Sequence, residues 1–251
     1  MDTDIISIEE PAPRPWGFWA TIGFTVAIVI AEVLIQIVAV VGFLVVATVA
    51  HHTVDAHSLG SNGLLLAIVT VVSIPVALGL VVLFVRLRKG MTLKDYLCFR
   101  HPRSSRYSTW CLILLAFVLL SDSLSVVLGK PIVPPFMSDA YATAGFMPLL
   151  WFTLIVVAPV GEEILFRGFL FKGLEASRVG GAGAVIVSSL GWAAMHIQYD
   201  WYGLLSVGAM GLLVGIARLR SQSILLPIFL HAVSNLIATV EAAVFVGMVV
   251  R

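Results

Sequence analysis

The sequence predicts an all-α membrane protein, a polytopic transmembrane helical bundle of about seven spans. Of its 251 residues, 60% are hydrophobic and only 12% are charged, whereas soluble domains carry about 25% charged residues. Apolar stretches long enough to cross a bilayer, about 17–25 residues, follow one another with short polar connections. The net charge of +1 and the lack of a basic tail argue against nucleic acid as a partner and leave the lipid bilayer as the surroundings.

The first half of the chain is predicted to hold a short tail and three spans. Residues 1–15 contain four acidic residues and one arginine, the wrong charge for a secretory signal, so we expect a disordered N-terminal tail. The loop 86–106 holds seven of the fifteen lysines and arginines, which is typical of a cytoplasmic loop that meets anionic headgroups. The predicted spans are 16–50, 62–85 and 109–128.

The second half is predicted to hold four further spans. The first of these is about 30 residues long, more than one crossing needs, and Pro159 is expected to bend it. A Pro-rich loop, 130–145, precedes it, and the glycines within 180–183 are expected to form the turn that follows. The predicted spans are 146–175, 184–197, 203–219 and 224–250. No internal repeat or low-complexity tract divides residues 16–251, so we expect a single membrane domain.

The distribution of basic residues predicts the orientation of this domain. With seven spans and a cytoplasmic N-terminus, the inner side holds 13 lysines and arginines and the outer side holds two. Cytoplasmic loops of membrane proteins carry such an excess of positive charge. We therefore expect the N-terminus inside and the C-terminus outside.

The fourth predicted span contains an unusual polar stretch between Gly161 and Gly168. It places Glu162 and Glu163 side by side and Arg167 one helical turn later. Ionisable groups at membrane depth cost about 2.5–3.5 kcal/mol each even on the mild insertion scale, so they mark functional or paired sites. Arg167 lies four residues after Glu163 on the same helical face, where an ion pair can form.

Three further polar residues are predicted to face Glu162. His196 ends the fifth span, and His231 and Asn235 are four residues apart on one face of the seventh. At about 1.5 Å per residue, Glu162 and His196 both lie roughly 24–27 Å from the turn that joins their spans. The same arithmetic places His231 and Asn235 roughly 16–22 Å from that side. We expect one polar chamber inside the bilayer.

Two chemistries suit such a chamber. A carboxylate beside an imidazole in a low-dielectric site can hold and activate a water molecule, while histidine and asparagine side chains donate hydrogen bonds to an oxyanion. Alternatively, Glu162, His196 and His231 form a His₂Glu set of the kind that binds zinc with one open position. Both arrangements describe amide hydrolysis. Buried pairs of this type also hold helices together, so a catalytically silent role stays open.

The polar residues resemble the motifs of the CPBP family, the CAAX-protease and bacteriocin-processing (Abi-type) intramembrane endopeptidases. The resemblance covers about 149–238, and it rests on three motifs in the same order along the chain. They are Glu162-Glu163-x-x-x-Arg167, an aromatic-x-x-x-His that ends at His196, and His231-x-x-x-Asn235. The chain departs from the family pattern at Trp192, where phenylalanine is usual. We expect this departure to affect ring packing and not catalysis.

The resemblance implies an intramembrane endopeptidase with its catalytic core at about 146–240. It implies that Glu162 activates water with the help of His196, and that His231 and Asn235 stabilise the oxyanion. In the metal-dependent alternative, the histidines help to hold a divalent metal such as zinc.

The resemblance also implies supporting residues, a substrate and a location. Glu163 and Arg167 support the site, and the substrate is a peptide or a membrane protein cleaved near the bilayer. A compact chain of this kind is similar to bacterial members, which predicts the bacterial plasma membrane.

Two other hypotheses stay open at this point. The first is a catalytically silent membrane scaffold or immunity protein of the same fold, which binds a partner and needs none of the polar site residues. The second is a proton-coupled carrier that uses intramembrane carboxylates as relays. The carboxylates that such a carrier would use are Glu32, Asp122, Glu162 and Glu241.

Overall fold

The computed structural model describes residues 13–51 and 59–249, and within these ranges the chain is helical and contains no strand. In this part of the chain, six helices are long and apolar enough to cross a membrane, and a seventh is apolar but shorter. The helices are α1 (Phe18–Val49), α2 (Gly63–Leu87), α3 (Leu93–Tyr96), α4 (Ser104–Val127), α5 (Pro135–Ala142), α6 (Met147–Glu175), α7 (Gly180–Ala194), α8 (Trp201–Ser221) and α9 (Leu225–Val249). The all-α class and the prediction of about seven spans are confirmed.

The predicted N-terminal tail lies almost entirely outside the described residues. The Pro-rich loop and the basic loop each contain a short helix that hydropathy did not indicate. Helix α5 begins with Pro135, whose fixed φ suits the first helical position. The hydroxyl of Tyr141 on α5 donates to the carbonyl of Thr239 on α9 at 2.6 Å, which ties this short helix to the bundle.

The glycines expected to form a turn instead open helix α7. The connection from α6 is 176–179, and α7 starts at Gly180, whose φ of +62° allows the chain to reverse there. A Cβ on Gly181 would overlap the side chain of Leu219. Gly180 therefore serves the chain reversal, whereas Gly181 serves the close approach of α7 to α8. Helix α7 also ends earlier than predicted, at Ala194.

Helix α6 is continuous, as predicted for 146–175, but it widens twice into π-helical geometry. The π segments are Thr153–Val157 and Ile164–Leu170, and an α-helical turn, Ala158–Glu163, separates them. Pro159 lacks the backbone N–H that an α-helix needs, so the wider turn directly before it accommodates the missing hydrogen bond. π-helical segments are rare in proteins overall, and those that occur often lie at functional sites.

Helix α6 lies at the centre of the bundle and contacts α1, α2, α7 and α9. Six of the seven residues of its second π segment are buried, and Phe169 within it stacks on Tyr96 of α3 with ring centroids 5.5 Å apart. The central position of α6 places the polar stretch of the sequence among neighbouring helices and away from lipid.

Gly161, directly before the glutamates, sets how closely α6 approaches α2. A Cβ at Gly161 would overlap the side chain of Ile74, whereas a Cβ at Gly79 on α2 would meet open space. We expect Gly161→Ala to lower the free energy of unfolding by about 1–3 kcal/mol, the usual cost of overpacking. Thermal unfolding in detergent measures this effect, and Gly79→Ala is the control. An equal midpoint for the two variants would contradict close packing at Gly161.

Candidate active site

A buried network on α6 and α9 forms the rear wall of the site. Glu163 Oε1 accepts hydrogen bonds from Arg167 Nη1 at 2.9 Å and from His231 Nδ1 at 3.0 Å. Glu163 and Arg167 are fully buried, and Arg167 Nη2 also donates to the carbonyl of Gly211 at 3.1 Å. The ion pair expected from the i, i+4 spacing is present. The same carboxylate also orients His231, which the spacing did not predict.

Glu162 points away from this network and is held by a different partner. Its carboxylate accepts a hydrogen bond from the indole N–H of Trp192 on α7. The expectation that Trp192 affects ring packing alone is therefore wrong, because its N–H contacts the candidate catalytic carboxylate. Phenylalanine, the usual residue of the family pattern, has no such donor.

Trp192 also brings the two histidines together. Its ring centroid lies 4.8 Å from that of His196 and 5.1 Å from that of His231, both in edge-to-face geometry. The guanidinium carbon of Arg167 lies 4.8 Å from the indole ring centroid in a cation–π contact. Trp192 is thus a contact shared by Glu162, Arg167, His196 and His231.

His196 lies just beyond the end of α7, and not in the helix as predicted. Its Nδ1 is 2.9 Å from the backbone carbonyl of Trp192. Because a carbonyl only accepts, Nδ1 carries the hydrogen and Nε2 of the neutral ring carries the lone pair. The same argument applies to His231, whose Nδ1 faces the Glu163 carboxylate. Both histidines therefore make these contacts through Nδ1 and turn Nε2 to other partners, as an acceptor or ligand when the ring is neutral and as a donor when it is protonated.

Asn235 lies one turn after His231 on α9, as the i, i+4 spacing predicts. Its Nδ2 donates to the carbonyl of Leu154 at 2.7 Å, within the first π segment of α6. One of its two amide hydrogens is therefore committed to holding α9 against α6. The second hydrogen and the amide oxygen are left for a ligand.

One cavity of about 880 Å³ joins these side chains. Its lining includes all four predicted catalytic residues: Glu162, His196, His231 and Asn235. It also includes Glu32, Asp122 and Glu241, the other carboxylates that a proton relay would use. The sequence prediction of a single polar chamber agrees with this arrangement. The volume is in the range of small-molecule and peptide side-chain sites.

The loop between α7 and α8 closes one side of the cavity. Tyr199 stacks on His196 with ring centroids 6.2 Å apart and planes 9° apart. Burial raises the pKa of Tyr199 to about 12, and the Glu162 carboxylate adds to this shift, so the phenol keeps its proton at neutral pH. At the other end of the loop, hydrogen bonds from Gly203 and Lys130 lower the pKa of Asp200, which caps α8 as a carboxylate.

The predicted metal ligands do not form a ready three-ligand set. Within the described ranges, no group of three or more His, Cys, Asp or Glu side chains is placed to hold a metal ion. One oxygen of Glu162 is engaged by Trp192, although His196 and His231 make their hydrogen bonds through Nδ1, which leaves Nε2 for a ligand. A divalent metal stays a prediction.

Sequence reasoning missed three residues around the site. Trp192 carried a usable signal, because a buried indole N–H usually finds an acceptor. Tyr199 carried none, because nothing in a loop sequence indicates stacking on a histidine. Arg218 on α8 is fully buried and donates from Nε to the carbonyl of Arg167 at 3.0 Å. The sequence analysis counted it only among the basic residues of the inner side.

Comparisons with known proteins bear on the same segment. Residues 144–237 match the family model of Rce1-like type II CAAX prenyl endopeptidases. An Escherichia coli protein described as an uncharacterized 24.3 kDa protein is 34% identical over 113 residues, which are 42% of this chain and 52% of that protein. UPF0177 protein YxdF of Lactococcus lactis subsp. lactis (strain IL1403) is 28% identical over 99 residues, 37% of this chain and 54% of that protein.

The chain spans about half the length of the curated relatives that it matches. No solved structure matches it significantly. The family match begins just before α6 and ends within α9, so it contains the Glu163–Arg167 network, Trp192 and both histidines. It confirms the resemblance inferred from the three motifs. Residues 144–237 of this membrane protein are therefore similar to the Rce1-like type II CAAX prenyl endopeptidases.

Proposed function

We propose that the chain is an intramembrane endopeptidase that hydrolyses a peptide bond in the cavity between α6, α7 and α9. The observation that carries this proposal is the placement of Glu162, His196 and His231 around one buried indole, beside one cavity. A silent scaffold needs no such convergence, and buried ionisable groups in a membrane are costly. The match to an endopeptidase family supports the same reaction class.

In the proposed mechanism, Glu162 is the general base. Trp192 engages Oε2 of its carboxylate and leaves Oε1 to take a proton from water. His196, whose Nε2 carries a lone pair, holds the same water as a second acceptor. Two acceptors on one water orient a lone pair of its oxygen towards the carbonyl carbon of the substrate. The water then attacks, and Glu162 returns the proton to the leaving amine.

Asn235 and His231 stabilise the oxyanion that forms. Asn235 uses its second amide hydrogen, since the first is bonded to Leu154. His231 donates from Nε2 only as the imidazolium, because its Nδ1 hydrogen is committed to Glu163. Glu163 holds the ring by this Nδ1 hydrogen, as the buried aspartate orients the histidine of a Ser-His-Asp triad. Glu163 and Arg167 therefore act through His231 and need not touch the substrate.

The substrate and location follow from the same proposal. The substrate is a peptide or a membrane protein that enters the cavity from the bilayer, and the family description points to prenylated CAAX peptides as one class to test. The protein lies in a bacterial plasma membrane as a multi-pass protein. The excess of basic residues on one side supports a cytoplasmic N-terminus and an external C-terminus.

A carrier is the second candidate, since one observation favours it. The carboxylates of Glu32, Asp122, Glu162 and Glu241 all line the same cavity, which is the arrangement a proton relay needs. A pH gradient across proteoliposomes separates the two functions. Proton uptake by the wild-type protein without peptide cleavage would favour the carrier.

The direct test of the proposal is cleavage of a peptide library by the purified protein in detergent, with and without a chelator. We expect cleavage products that mass spectrometry identifies, and we expect the rate to survive the chelator because the mechanism runs through Glu162 and His196. Loss of activity in chelator with recovery on adding zinc would establish the metal-dependent alternative. The absence of any product, with CAAX peptides included, would favour a scaffold or immunity protein.

A further inference from the structure

We propose that Trp192 is a positioning residue that fixes the Glu162 carboxylate and links it to the buried charge of Arg167. The catalytic part of this inference rests on the endopeptidase function proposed above. The structural part, that the indole N–H holds the carboxylate, stands without it.

The contacts of Trp192 leave its indole one orientation. The side chain is 4% exposed. Arg167 lies over the ring face at 4.8 Å, and the rings of His196 and His231 meet it edge-to-face at 4.8 and 5.1 Å. A ring held by three neighbours cannot rotate about its side-chain bonds without losing those contacts. The indole N–H is therefore a fixed donor, and Glu162 is the acceptor it meets.

The neighbouring helix provides room for this larger ring. A Cβ on Gly211 of α8 would come within 3.1 Å of Trp192 Cε3, on the six-membered part of the indole, and within 3.3 Å of Arg167 Nη2. Both contacts are tighter than normal packing distances. A glycine at 211 thus accommodates the ring that phenylalanine lacks and the arginine that stacks on it. The space around Trp192 is fitted to an indole.

The charges around the indole strengthen the hydrogen bond that it donates. A cation over the ring face is attracted to the π electrons and draws electron density from the ring, which makes the N–H a better donor. Hydrogen bonds to an ionised carboxylate are roughly twice as strong as neutral ones, and a low dielectric strengthens such chains further. The carboxylate of Glu162, half-buried on the cavity wall, is thereby kept in one rotamer with one oxygen left for water.

A phenylalanine variant separates the aromatic packing of Trp192 from the hydrogen bond that its N–H donates. Trp192→Phe keeps an aromatic ring for Arg167 and the histidines but removes the N–H donor. We expect it to lower kcat about 10- to 100-fold, the value of a hydrogen bond to a charged group, with KM within about twofold of wild type. This split is expected because the lost contact orients the base and does not bind substrate. Trp19→Phe, at a tryptophan that is 81% exposed, is the matched control.

A second measurement observes the hydrogen bond without any catalysis. In protein labelled with ¹⁵N-tryptophan, six indole N–H resonances report the six tryptophans, and the one missing from Trp192→Phe is assigned to Trp192. We expect Glu162→Ala to move this resonance upfield, while Glu32→Gln, at another carboxylate of the cavity, leaves it in place. The other five resonances show whether each variant is folded.

These measurements separate the possible outcomes. A Trp192 resonance that Glu162→Ala does not move, or a Trp192→Phe variant with wild-type kcat, would overturn the inference. If the wild-type protein cleaves no peptide, the proposed function fails, and the indole resonance still decides whether Trp192 holds Glu162.

Discussion

Replacement of Glu162 by glutamine is expected to abolish peptide cleavage and leave the fold intact. Glutamine has the shape of glutamate, and its amide oxygen can still accept the hydrogen bond from Trp192. It cannot take a proton from water, so the reaction loses its general base. General acid–base groups contribute typically 10²- to 10⁴-fold, so kcat should fall by about that factor or more.

The measurement is cleavage of a peptide found with the wild-type protein, followed by mass spectrometry at several substrate concentrations. Glu175→Gln is the control, since Glu175 lies on the same helix, outside the cavity, beside Lys172. We expect it to keep wild-type kcat. Full activity of Glu162→Gln in a well-folded preparation would show that Glu162 is not the general base and would leave the histidines as the candidates for that role.

Local geometry explains why much of this site was predictable. A helix places residues four apart on one face, so the Glu163–Arg167 ion pair and the shared face of His231 and Asn235 followed from spacing. The depth of Glu162 and His196 followed from counting residues along two antiparallel helices at a fixed rise. Each of these inferences depends on a single helix or a single connection. Hydropathy locates such helices because backbone groups in a bilayer must form their hydrogen bonds within the segment.

The unpredicted contacts depend on how one helix is rotated against another. The hydrogen bond from Trp192 to Glu162 joins α7 to α6, and that from His231 to Glu163 joins α9 to α6. No spacing rule fixes the rotation of one helix against another. These helices are apolar on most of their faces, so the sequence does not show which face packs against which neighbour. The π segments on both sides of the glutamates also shift the direction of each side chain along α6, and hydropathy gives no sign of them.

The glycines of α7 show a different reason for failure. Four small residues after a helix are a normal turn signal, and Gly180 does reverse the chain, but Gly181 lies inside α7 and contacts α8. In a membrane, where apolar helices gain little from leaving lipid, small residues allow backbones to approach closely. The same composition therefore predicts a turn in water and a packing face in a bilayer.

Removal of Glu163 is expected to destabilise the fold as well as to slow peptide cleavage. Glu163 is the buried carboxylate beside Arg167, and both side chains are fully buried. Glu163→Ala leaves the guanidinium uncompensated, which costs about 3–5 kcal/mol in comparable buried pairs. We expect a clear fall in the midpoint of thermal unfolding in detergent, and loss of cleavage because His231 loses its partner.

A double variant separates these two effects of Glu163. Glu163→Leu/Arg167→Met removes both charges and keeps similar volume, so it should regain much of the stability that Glu163→Ala loses. Cleavage should stay low, because Nδ1 of His231 then has no carboxylate to hold its orientation. Glu175→Ala, which breaks the half-buried pair with Lys172, should cost no more than about 1 kcal/mol. Equal midpoints for Glu163→Ala and Glu175→Ala would show that the stability of the fold does not depend on the pairing of Arg167 with Glu163.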